Sequence, residues 1–268
     1  MNWWHALIVL AAGIWAGAIN AVVGSGTLVT FPVLVALGYP PVTATTSNAV
    51  GLAPGTISGA IGYRHEIRGQ GRRIARYAVP SFVGAICGTV LLLSLPPNTF
   101  EKVVPVLVGI AVVLVVAQPR VSAFVARRRD TQVTAGPAAH SGSVEGDGVR
   151  PHGGPLLLFL LFLIGIYGGY FTAAQGVMMM GVMGMLLTDS LQRLNGIKNV
   201  LAAVVNVVAG TIYAFIAPVS WPVIGLLALG STLGGQLGAK IGRRLPPTVL
   251  RIVIVVVGVA AIVQLLLR

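Results

Sequence analysis

The sequence predicts an all-α integral membrane protein. It is read as two inverted-topology repeats, each a broken or re-entrant helical hairpin followed by three transmembrane helices. Three observations carry this. Hydrophobic residues make up 56% of the 268 and charged residues only 9%, whereas a soluble domain carries about a quarter charged residues. The apolar residues fall into runs near the ~20 residues that a helix needs to span a bilayer. The basic residues gather in the loops of one side.

The runs in the first half are 3–24, 26–38, 43–63, 77–96 and 100–118. The opening "MNWWHALIVLAAGIWAGAINA" lacks the basic start of a signal peptide and is read as mature protein. Trp3 and Trp4 are its interface anchors. The stretch "AVVGSGTLV" then breaks the apolar pattern at Gly24-Ser25-Gly26-Thr27. The next run is short: about twelve helical residues reach ~18 Å, less than a ~30 Å hydrocarbon core. The two runs therefore form a hairpin around a glycine-bearing tip. Cys87, the one cysteine, lies in the run 77–96 and reads as a small buried hydrophobe.

The stretch 119–154 contains "ARRRDTQVTAGPAAHSGSVEGDGVRPHGG" and reads as a flexible cytoplasmic linker. It divides the chain into a first repeat, 1–118, and a second, 155–268. His140 and His152 lie in the linker, but no cysteine or carboxylate cluster joins them, so no metal site is expected. The second half has runs at 155–175, 176–187, 198–217, 220–240 and 248–267, and its second run is again short. Met178, Met179, Met180, Met183 and Met185 surround the whole circumference of that short helix. They read as flexible gap filling rather than a soft-metal site.

The net charge of +12 does not point to nucleic acid, because the basic residues sit between apolar runs. In one self-consistent topology 16 of the 18 basic residues are cytoplasmic, as the positive-inside rule requires. The loops 64–76 and 119–154 are then cytoplasmic and both termini external, in a plasma membrane. Arg193 and Lys198 fall in a third basic loop of this scheme. Lys198 reads first as an interface lysine that snorkels, with ligand contact as the alternative.

The halves also match in order and spacing. Gly13 to Gly17 corresponds to Gly165 to Gly169, and Gly24 to Gly176. Asn48 corresponds to Asn199, Gly59 to Gly210, and Leu95-Pro96-Pro97 to Leu245-Pro246-Pro247. With opposite starting sides, the halves are predicted to be inverted repeats, a layout that puts a substrate site where broken helices meet. Helix N-termini expose unpaired N–H groups and attract anions. The predicted site is therefore Gly24, Ser25, Gly26 and Thr27 from one tip and Thr172, Gln175 and Gly176 from the other, with Asn48, Asn199 and Lys198 beside them. Ser25 or Thr27 is expected to cap the short helix. Gly230, Gly234 and Gly238 form a packing stripe.

"GAINAVVGSGTLVTFPVLVALGYPPVTATTSNAVGLAPGTISGAIGYR" resembles the first half of the TauE/SafE family, the sulfite exporter-like permeases. "LNGIKNVLAAVVNVVAG" resembles the matching part of its second half. The resemblance implies a multi-pass permease for a small anion such as sulfite or an organosulfonate, with no cofactor. The bilayer and the anion are the implied partners; nucleic acid is not, and a homo-oligomer is compatible. An anion-selective, channel-like pore of the same architecture is the alternative, because paired re-entrant hairpins also build pores. A structural or regulatory membrane subunit is a third. An intramembrane serine enzyme would need a histidine base, and His5, His65, His140 and His152 lie at an edge or in loops. All six acids lie in loops or at helix ends, so no carboxylate is available as a proton relay. The potential alone would drive a monoanion outward by about 2.3 kcal/mol per 100 mV.

Overall fold

A computed structural model describes residues 2–134, 153–241 and 255–256. The run 248–267, apart from 255–256, lies outside the described residues, as do the second Leu-Pro-Pro, His140 and His152. Nine α-helices form among the described residues: α1 Trp3–Val22, α2 Thr27–Ala36, α3 Pro41–Gly62, α4 Gly71–Ser94, α5 Pro97–Thr134, α6 Gly154–Phe171, α7 Gln175–Leu186, α8 Leu191–Ile216 and α9 Trp221–Ile241.

Local chemistry sets several boundaries. Proline stands in the first turn of α3 and α6, where its missing N–H costs nothing. Ser190 caps α8, its hydroxyl accepting the Arg193 N–H at 3.3 Å. That cap starts α8 at Leu191, seven residues before the apolar run that predicted it, so Arg193 and Lys198 are helical rather than in a loop. Helix α5 continues to Thr134, so the first part of the stretch read as linker is helical.

Among the described residues six helices are long and apolar enough to cross a membrane: α1, α4, the Asn98–Gln118 part of α5, α6, α8 and α9. Helix α3 is of spanning length but less apolar, and it buries Thr45, Thr46, Ser47, Asn48, Thr56 and Ser58. It is a central helix whose polar groups face protein. Helices α2 and α7, of 10 and 12 residues, are the short arms of the hairpins.

The packing crosses between the halves. Helix α1 lies along α9 and α6 along α4; α3 packs on α9 and α8, and α8 also on α4. Small residues allow the close approaches, as lipid-embedded helices require. A Cβ at Gly17 would stand 2.8 Å from Ser231 Cα in α9, and one at Gly88 would meet the Ile166 carbonyl in α6. Gly230, Gly234 and Gly238 press on the α1 backbone in the same way, the packing stripe expected of them. One buried cluster surrounds α2 and α5, with Phe31, Phe100 and Phe171 in edge contact. A second joins α4, α6, α7 and α8 through Tyr77, Leu161, Met179, Met183, Leu194 and Ile197.

Outward-facing positions are apolar too, as a lipid-facing surface demands. Trp3, Trp4, Phe82, Val90 and Phe215 are exposed. Cys87 is among the exposed residues of α4. It was expected to be buried; composition cannot separate a lipid-facing apolar position from a core one, because both are hydrophobic.

Candidate substrate site at the hairpin tips

Helix α1 ends where the Val23 and Gly24 N–H groups both bond the Ile19 carbonyl, at 2.7 and 3.0 Å. Gly24 then turns the chain with φ +89°, a conformation that glycine adopts without steric penalty. Helix α2 starts three residues later, at Thr27. The N–H groups of Ser25, Gly26 and Thr27 make no hydrogen bond among the described residues. The second tip is tighter. Thr172 and Ala174 both have positive φ, +57° and +56°, which is strained for side chains other than glycine. Thr172 Oγ1 donates back to the Gly168 carbonyl at 2.9 Å, and α7 begins at Gln175.

The two tips touch. The Gly176 N–H donates to the Gly24 carbonyl at 3.0 Å. A Cβ on either glycine would stand 2.5 Å from the other's Cα, so only glycine fits at both positions.

Helix α8 holds this junction from one side. The Nδ2 groups of Asn195 and Asn199 donate to the Ala21 carbonyl at 3.3 and 3.1 Å. Lys198 Nζ donates to the carbonyls of Asn20 and Ala21, both at 3.2 Å. These carbonyls belong to the negative end of α1, where a cation is favoured. Helix α3 holds the other side. Asn48 Nδ2 donates to Thr27 Oγ1 at 3.0 Å, and Thr30 Oγ1 donates to Asn48 Oδ1. The two matched asparagines thus do different work: Asn48 ties α3 to α2, and Asn199 ties α8 to α1.

Two sequence expectations need correction. Gly26, not Ser25 or Thr27, occupies the cap position of α2, and it makes no side-chain cap bond. The Thr27 hydroxyl is engaged with Asn48 instead, and Ser25 Oγ is buried with no partner. Lys198 does not snorkel. It is 0% exposed, because the early start of α8 carries it past the edge to the tips.

All ten predicted site residues therefore lie at or beside the junction, but they are unequally committed. Ser25 Oγ and both amide atoms of Gln175 are buried without a hydrogen-bond partner among the described residues. Gln175 lies against Gly168. Such groups are costly unless something satisfies them.

Sequence reasoning missed Asn195, whose Oδ1 is also unpartnered. The signal was present: Asn195, Lys198 and Asn199 share one helix face at i, i+3 and i+4. It also missed Asp189, in the turn before α8. Asp189 bonds Arg73 of α4 at 2.6 Å and Arg193 at 3.4 Å. Burial alone would raise the Asp189 carboxyl, but the two guanidinium groups outweigh it and hold the carboxyl below its ordinary range. The methionines of α7 divide by face. Met179 and Met183 fill the core, while Met178, Met180 and Met185 line an apolar cavity of about 340 Å³ between α5, α6 and α7.

Long apolar helices, lipid-facing hydrophobic surfaces and two broken hairpins meeting inside the bundle define a multi-pass integral membrane protein. Comparison with known proteins gives the rest. A family described as "Sulfite exporter TauE/SafE" matches residues 9–265, so the chain belongs to that family of membrane transporters. It is 24% identical to a "Probable membrane transporter protein" of Haemophilus influenzae, over 94% of this chain and 90% of that one. It is also 24% identical to the "Probable membrane transporter protein ORF9" of a Sinorhizobium species, over 94% and 88%. The "Probable membrane transporter protein YfcA" of Escherichia coli is 23% identical, over 94% and 86%. No solved structure matches the chain.

Proposed function

We propose that this transporter carries a small oxyanion, sulfite or an organosulfonate, outward across the plasma membrane. It does so by alternating access around the junction of the two hairpin tips. The observation that carries the reading is the junction itself. Two helix N-termini converge at a single Gly24–Gly176 contact, with free N–H donors, an unpartnered Ser25 hydroxyl and an unpartnered Gln175 amide beside them. Helix N-termini are partly positive and suit an oxyanion, and the Lys198 ammonium adds a full charge.

The packing supports two structurally related repeats. A two-fold relation between the halves pairs α1 with α6, α2 with α7, α3 with α8 and α4 with α9. It maps the α1–α9 contact onto α6–α4 and the α3–α9 contact onto α8–α4, and both partners of each pair are present. The touching tips support a carrier over an open pore, because an anion enters only when they part. The arginine bias supports cytoplasmic loops at 64–76 and 119–154 and external termini.

A substrate screen by thermal unfolding tests the reading, since a ligand that binds the folded state raises the melting temperature with its concentration. Sulfite and small sulfonates should stabilise the purified protein more than acetate or chloride does. No stabilisation by any oxyanion would refute the reading.

A further inference from the structure

We propose that Lys198 is the proton-coupling group of the transport cycle, so that a monoanion and a proton cross together, the loaded site is electroneutral, and the anion's own concentration gradient rather than the membrane potential drives its exit. The inference rests on the reading of the tips as an anion-transport site and adds how that site is coupled.

Lys198 is wholly buried at the meeting point of α1, α7 and α8. Its stem lies against the second tip: a Cβ at Gly176 would stand 3.1 Å from Lys198 Cδ. Its head bonds the carbonyls that end α1, just before the first tip. One side chain therefore touches both moving parts of the junction.

No carboxylate accompanies it. Helix α1 offers backbone carbonyls here, and its one titratable side chain, His5, is at the far end. Helix α7 carries no titratable residue. The end of α3 brings Tyr63 against Gly196, α4 brings Tyr77 into the cluster that holds Leu194 and Ile197 and Arg73 to Asp189, and Tyr167 and Tyr170 of α6 belong to the other buried cluster. On α8 itself Arg193 is paired with Asp189. Among the described residues the junction thus holds one ionisable cation and no acid.

An ammonium buried without a counter-charge is costly. A bound monoanion supplies that counter-charge. When the anion leaves, the cost returns unless the charge leaves too. An ammonium has three N–H donors, and two carbonyls engage it in the arrangement described here. The third proton is the one free to go. It passes to water on the side where the anion was released; Nζ keeps the electron pair as a neutral amine, and the remaining two N–H groups still serve both carbonyls. The junction recloses uncharged, opens to the first side, and takes up a proton from that water together with the next anion. The lysine supplies the relay that the sequence, lacking a membrane carboxylate, did not offer.

The test uses the full chain in proteoliposomes with an entrapped pH dye. The probe is labelled methanesulfonate, a strong-acid anion that carries no proton of its own. The wild type should move a proton with each anion in the same direction, and its flux should not respond to a valinomycin-imposed potassium potential. Lys198→Arg keeps the charge but holds its proton throughout. It should still exchange labelled for unlabelled methanesulfonate while losing net flux. Wild-type flux that follows the potential without moving protons overturns the proposal, as does Lys198→Arg retaining proton-linked net flux. If Lys198→Arg fails to fold, Lys198→Gln replaces it: flux in that neutral variant should carry no proton and should follow the potential, and proton-linked flux in it overturns the proposal. No wild-type flux would instead overturn the transport reading on which the proposal stands.

Discussion

Substituting alanine for Gly24 tests the tip junction, and Gly38→Ala is its control. Both glycines have nearly the same positive φ, +89° and +91°, so both variants incur a left-handed penalty of about 1–2 kcal/mol. Their surroundings differ. Nothing lies within 4 Å of a Cβ at Gly38, whereas one at Gly24 would stand 2.5 Å from Gly176 Cα and 2.9 Å from its carbonyl carbon. Carbon atoms in contact sit at about 3.5–4.0 Å, and backbone cannot rotate away, so the tips must separate by about 1 Å. That stretches the 3.0 Å bond from Gly176 to Gly24 out of hydrogen-bond range and leaves a buried N–H and carbonyl unpaired. The added cost is about 1–3 kcal/mol. Gly24→Ala should therefore melt several degrees below Gly38→Ala in detergent, at roughly 2–4 °C per kcal/mol for a chain of this size. It should also lose anion flux that Gly38→Ala keeps. Equal melting temperatures and equal flux would refute the argument that the tips meet at Gly24.

Other expectations follow from named contacts. Asn48→Ala removes two buried hydrogen bonds and should destabilise the protein by about 1–3 kcal/mol, read as a lower melting temperature with the protein still inserted in the membrane. Ser25→Ala removes a hydroxyl that has no partner, so stability should hold while anion affinity weakens by about 1 kcal/mol; a large loss of stability would show that Ser25 is structural. The Asp189 carboxyl is held below its ordinary value, so its stabilising effect is present above the unfolded pKa of about 4 and is lost as pH falls through the lower folded value. Melting curves of wild type and Asp189→Asn should therefore converge in acid and differ at neutral pH. For orientation, cysteines at Gln70 and Ser143 in a Cys87→Ser background should resist an impermeant thiol reagent in intact cells, and labelling of both from outside would contradict cytoplasmic loops and external termini.

The hairpins were legible because their signals are local. A Gly-Ser-Gly interruption and a run too short to span both survive in a single sequence. Nine of the ten predicted site residues could be picked out because glycine, hydroxyl and amide residues are conspicuous in an apolar chain. What could not be read depends on where a helix starts and which way it faces. Lys198 looked like an edge lysine because the apolar run began there, but the Ser190 cap moves the start of α8 seven residues earlier and carries Lys198 inside. Cys87 looked buried because lipid-facing and core positions share one composition. Asn48 and Asn199 looked equivalent by spacing, yet one bonds side-chain hydroxyls of α2 and the other a backbone carbonyl of α1. That difference depends on tertiary neighbours that no local pattern specifies.

Concentration-dependent flux of sulfite and methanesulfonate into proteoliposomes tests the central claim most directly, with wild type compared with the Asn48→Ala/Asn199→Ala double variant at matched amounts of folded protein. A carrier whose tips form the site should saturate with anion concentration, and the double variant should transport far less while remaining folded. Non-saturating wild-type flux would mark a pore, and undiminished flux in the double variant would show that the ties these asparagines make at the tips are not needed for transport.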